Sequence, residues 1–148
     1  MKLTLGGFAA CAVLFLGGQA DEAAIRKEKA RLKGTWNFVR VESPKGEEAA
    51  DKIRGATLVI GEDGTLEFRK DEKRKKATYT INPAGKPKEI DLTSVDDDTK
   101  KIRGIYQLDK DTLKICFGDP KNKGRPTEFA VDKTEGKEQI LMTLERAK

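Results

Sequence analysis

The sequence predicts an all-β fold: an antiparallel up-and-down (meander) barrel of 8–9 strands, preceded by one short N-terminal helix. Three observations carry that prediction. From Gly34 onward, β-branched or aromatic runs recur about every ten residues between Gly, Asp, Asn and Pro punctuation, the spacing of an antiparallel sandwich or barrel. Turn residues such as Asp63-Gly64 and Asp109-Lys110-Asp111 sit between successive runs, which makes neighbours in sequence neighbours in the sheet. A meander of so many short strands also has edges to hide. Closure removes them, and at about eight strands the interior holds side chains or one small ligand.

The elements follow in chain order. Residues 1–20 read as a signal peptide: Met1-Lys2 gives a basic start, Leu3 to Leu16 an apolar run, and Gly18-Gln19-Ala20 a small-x-small ending. The expectation is export to the periplasm or the exterior after cleavage near Ala20. The apolar run is shorter than the roughly 20 residues a spanning helix needs and contains Gly6 and Gly7, so no membrane span is expected in the mature chain. Phe8-Ala9-Ala10-Cys11 loosely resembles a lipobox, but Cys11 lies too early in the apolar run to favour lipidation. Cleavage leaves Cys116 as the single thiol, so no internal disulfide is available and packing must hold the fold. Residues 21–33 are strong helix formers with Ala24, Ile25 and Leu32 near one side.

Residues 34–148 form the barrel domain. Strands are expected near 34–41, 56–60, 64–70, 75–81, 88–92, 101–108, 112–118, 127–131 and 138–145. Alternation puts Trp36, Phe38, Leu58, Ile60, Leu66, Phe68, Tyr79, Ile81, Tyr106, Leu108, Leu113, Ile115, Phe117, Phe129, Val131, Ile140, Met142 and Leu144 inside. Longer connections at Ser43 to Gly55 and Gly118 to Pro126 are where an opening or lid belongs.

Leu32-Lys33-Gly34-Thr35-Trp36 at the first strand, with Arg146 after the last, resembles the Gly-x-Trp and terminal-Arg pairing of lipocalin-like barrels. The resemblance implies barrel closure by Trp36 and Arg146, with the arginine across the indole. Such a cation-π contact is worth roughly 0.5–2 kcal/mol. Pro87-Lys88-x-Ile90-Asp91-Leu92, Gly104-Ile105-Tyr106-x-Leu108, Leu113-x-Ile115-Cys116, Arg125-Pro126-x-x-Phe129 and Leu144-x-Arg146 extend the likeness to a family of small exported bacterial domains of unknown function. That likeness implies a fold but brings no activity or catalytic residue.

The residues also exclude chemistry. With 30 Lys and Arg, 25 Asp and Glu and no His, the chain cannot build Ser-His-Asp or Cys-His catalysis or a His-ligated metal site. Gly-rich phosphate loops, Cys-x-x-Cys spacing and Gly-x-Ser-x-Gly are absent, so no cofactor is expected. Asp96-Asp97-Asp98 lacks the alternate spacing and distal Glu of a calcium loop and reads as a solvated hairpin tip, so no metal is expected. Lys70 to Lys76 and Lys121 to Arg125 read as basic loops. Neither carries the aromatic platforms of a nucleic-acid surface, and no nucleic-acid partner is expected. Asp91, if inward, would pair with Arg40, Arg54, Arg69 or Arg103. Cys116 reads as a small covered hydrophobe, because nothing nearby in sequence activates it.

Two functions remain in balance. One is a non-catalytic barrel holding a small apolar or amphipathic molecule against Trp36, Phe38, Phe68, Tyr79 and Tyr106. The other is a protein-interaction or structural module with a filled barrel, whose protein partners are unknown. An enzyme built on Asp, Arg, Tyr or Cys116 is the third reading.

Overall fold

The computed structural model describes residues 21–121, 124–131 and 138–148; the signal peptide expected at residues 1–20, with Cys11, lies outside the described residues. Helix α1 (Glu22–Leu32) is N-capped by Asp21, whose side chain accepts a hydrogen bond from the Ala24 amide at 2.7 Å. The strands are β1 (Gly34–Ser43), β2 (Gly46–Glu47), β3 (Thr57–Ile60), β4 (Thr65–Lys70), β5 (Lys73–Asn82), β6 (Lys88–Ser94), β7 (Lys101–Asp109), β8 (Thr112–Phe117) and β9 (Ile140–Arg146). A four-residue helical turn, α2 (Ala50–Ile53), lies between β2 and β3.

All pairings are antiparallel, in the order β2-β1-β3-β4-β5-β6-β7-β8-β9, and β1 also pairs with β9. Eight strands therefore close into a meander barrel, with β2 as a two-residue extension. Closure passes through a bulge between Phe38 and Arg40. Beyond it Val41 faces Met142, and Val39 turns outward and is 47% exposed.

The registers set one inner face. Leu58 opposes Trp36 and Phe68, Ile81 opposes Ile90, and Leu113 opposes Leu108 and Leu144. Most of the expected interior is in that core: Trp36, Leu58, Ile60, Leu66, Tyr79, Ile81, Tyr106, Leu113, Ile115, Phe117 and Leu144 are buried.

Four expectations need correction. Residues 127–131 are not a strand, and Phe129 and Val131 do not point into the barrel. The β8–β9 ladder already joins Cys116 to Leu141, so the sheet has no vacancy there and the segment crosses the outer wall instead. The short strand missed in sequence is β2, hidden in a Pro-Lys-Gly turn. Ile140 is 42% exposed at the end of the barrel away from α1. Finally, the strand expected from 75 starts two residues earlier, at Lys73, so the end of the first basic run is strand rather than loop: β4 and β5 meet through Asp71-Glu72 alone, with Asp71 at φ 54°. Four successive basic residues carry no apolar alternation, yet the ladder extends through them.

Candidate functional site

The barrel has a sealed end and a less covered one. At the sealed end α1 lies across the base, burying Leu32 and packing Ile25 against the core. Its C-terminal carbonyls, which lack partners inside the helix, are met by the seam residues. The Trp36 indole donates to the Leu32 carbonyl at 2.9 Å, and the Arg146 guanidinium donates to the Arg31 and Lys33 carbonyls at 2.8 and 3.0 Å. Arg146 also pairs with Asp111 and lies over the Trp36 ring, 4.3 Å from its centroid. Gly34 sits at φ +137°, and a Cβ there would stand 3.1 Å from the Arg146 guanidinium, so conformation and space both select glycine before Trp36.

The base also holds a charge that the sequence reading missed. Glu28 is 4% exposed and accepts from Lys88 at 2.6 Å, Arg31 at 2.8 Å and the Tyr106 hydroxyl at 3.0 Å. Burial pushes its carboxyl up, but the Lys88 and Tyr106 hydrogen bonds and the two cations outweigh that and hold it below the ordinary value. Its place was readable: Glu28 is three residues after Ile25 and four before Leu32, on the helix's apolar face. Burial, followed by the Glu28 charge, raises the Tyr106 hydroxyl. Tyr79 donates to the Gly61 carbonyl at 2.7 Å and is pushed up to about 12, chiefly by burial. Lys29 stands over its ring at 5.4 Å.

No family model, curated protein or solved structure matches the chain.

The five aromatics expected to line a cavity divide between the two ends. Trp36, Tyr106 and Tyr79 are 0%, 1% and 3% exposed and form a packed floor, which Tyr106 leaves only at its edge, where it borders a notch beside Lys88. Phe38 and Phe68 belong to a second layer. Their rings meet edge-to-face at 5.6 Å, and with Leu92, Ile102 and Met142 they are only partly buried. Their registers place all five on the inner face, further from α1 than the floor, and this incompletely covered apolar layer is the barrel's cup. Lys75 is the cross-strand partner of Phe68, and Lys73 of Lys70, so the three lysines share the side of the sheet that Phe68 occupies. Lys70 donates to the Lys52 carbonyl of α2, which places the β2–α2 segment at the cup's rim.

The remaining candidates are structural. Asp91 faces outward, not inward, and its partner is Arg125, at 2.7 and 3.2 Å, rather than any of the arginines expected for it. Arg125 also donates to the Gly104 carbonyl and pairs with Glu89, so this member of the second basic run is neutralised. Asp97 is bonded to the Thr99 amide and hydroxyl in the turn between β6 and β7. Among the described residues, no group of three or more His, Cys, Asp or Glu could hold a metal. Cys116 is fully buried on the outer wall opposite Ile105, with its Sγ 3.5 Å from the Ala130 carbonyl. Burial raises its thiol pKa, which makes it a poor nucleophile.

Proposed function

We propose that this chain is an exported, non-catalytic, lipocalin-like binding module that takes a small amphipathic molecule at the open end of its barrel. The apolar part rests in the cup of Phe38, Phe68, Leu92, Ile102 and Met142. An anionic end group meets Lys70, Lys73 or Lys75. The observation that carries this reading is the burial gradient: one barrel encloses a sealed floor, yet leaves five apolar side chains only partly covered at the other end. A filled structural barrel has no reason to leave that layer incomplete, because each exposed apolar Å² forfeits about 25 cal/mol. Export rests on the leader pattern of residues 1–20, and kinship with small exported bacterial domains rests on the motifs between Leu32 and Arg146.

Calorimetry with dodecanoate, a single-chain carboxylate, tests the reading alongside native mass spectrometry of protein purified without denaturant. Saturable 1:1 binding that Phe68→Lys abolishes is expected. Absence of binding, together with a dimer mass and no co-purifying molecule, would favour the interaction module with a filled barrel.

A further inference from the structure

A cavity lies at the opposite end of the molecule from that layer, in the wall beside the base. β7 runs past the start of β6: Lys88 faces Tyr106, and Gln107 to Asp109 have no β6 partner beyond it. The β5–β6 connection bends away from this unpaired stretch and leaves a notch of about 390 Å³ between Lys86-Pro87 and Gln107-Leu108. Ligand sites begin at roughly 300 Å³. Gly85 keeps the bend tight, because a Cβ there would come within 2.9 Å of the Pro87 carbonyl oxygen. Phe129 supplies the outer wall. The crossing segment that carries it is pinned before it by Arg125 on Asp91 and after it by Gln139 on the Ala130 carbonyl.

The notch is apolar along Pro87, Leu108 and Phe129 and positive at its inner and outer edges. Lys86 is exposed and, among the described residues, has no acidic partner. Lys88 is paired with Glu28 but keeps 35% of its side chain exposed. Glu28 answers two cations, Arg31 and Lys88, so that cluster retains a net positive charge, to which Lys86 adds another. The acid next in sequence to Lys88, Glu89, is engaged by Arg125.

We infer that this notch binds a small aromatic carboxylate, with the ring between Pro87, Leu108 and Phe129 and the carboxylate at Lys86 and Lys88. It is a site separate from the cup, and it stands whether or not the cup binds anything. The charge favours an anion over a cation, and a ring of Pro87, Leu108, Phe129 and the edge of Tyr106 around about 390 Å³ suits a compact aromatic body.

The probe is 1-naphthoate, titrated into the full chain by calorimetry and followed by amide NMR. Expected are 1:1 binding, shifts centred on Gly85, Lys88, Gln107 and Phe129, and weaker binding at higher salt. Lys86→Glu, an exposed loop change that leaves packing intact, weakens binding about tenfold. Phe129→Ala weakens it too, whereas Phe68→Lys in the cup leaves it unchanged. Wild-type affinity in Lys86→Glu, shifts centred on Phe38 and Phe68, or no binding at millimolar 1-naphthoate would each overturn the inference.

Discussion

The two ends of the barrel are built from the same alternating strands, yet one is sealed and the other is not. At the base, Trp36, Tyr106, Leu113 and Leu144 are at most 1% exposed. A few residues further along β1 and β4, Phe38 and Phe68 occupy equivalent inner positions but remain partly open. Strand pattern cannot account for the difference. The helix does: α1 lies across one end and supplies Leu32, Ile25 and Glu28 as a plug, while at the far end no helix of comparable length lies across the barrel among the described residues, and the short β2–α2 segment sits at the rim. Alternation decides which side chains face inward, and what covers the ends decides which of them become core.

Substitutions at the two ends should therefore differ in cost. Trp36→Ala removes the most deeply buried large side chain, the stack under Arg146 and the bond to Leu32; a loss of about 4 kcal/mol is expected in urea unfolding. Phe68→Ala, the same kind of truncation in the open layer, is expected to cost about 1–2 kcal/mol, because its neighbourhood is already partly solvated. Equal losses would mean that the cup is covered in solution. Arg146→Ala loses the indole contact and two carbonyl bonds and should cost about 1–3 kcal/mol. Arg146→Lys should recover little of it, since an ammonium cannot span both carbonyls while lying flat on the ring.

Acid sharpens the comparison. Glu28 holds its carboxyl below the ordinary 4.5 when folded, so the folded chain binds that proton less readily than the unfolded chain. The stability this contributes is complete above pH 4.5 and is lost as pH falls through the depressed value. Glu28→Gln should flatten that part of the stability–pH curve and cost stability at neutral pH, where Lys88 loses its partner. An unchanged slope would remove Glu28 from the plug. The smallest effect is expected at Cys116, where truncation to Ala on the outer wall costs about 1 kcal/mol, and the native thiol should resist dithionitrobenzoate until the chain unfolds.

Much of this architecture was legible in the sequence. The strands that alternate apolar and polar residues could be read, as could the indole and guanidinium at the seam, because both follow from local pattern and chain order. Four features were not. Lys73 and Arg74 extend β5 beyond the strand expected from 75, because cross-strand pairing to β4 and not side-chain burial extends the ladder. Phe129, Ala130 and Val131 have strand composition but lie outside the barrel, since ladder vacancies are a property of the whole sheet. Asp91 and Arg125 are 34 positions apart and meet only because residues 124–131, the described part of the β8–β9 connection, lie against the outer wall. The split of the five aromatics between floor and cup depends on where α1 docks, which no strand pattern encodes.

The central claim is that the barrel interior admits a ligand at its open end and not at its packed floor. Side-chain NMR during a dodecanoate titration tests it directly. Resonances of Phe68, Leu92, Ile102 and Met142 should move together and saturate, while the Trp36 indole N–H and the Leu113 methyls stay fixed. Movement of the indole resonance with a silent Phe68 would place the molecule at the base and contradict the account.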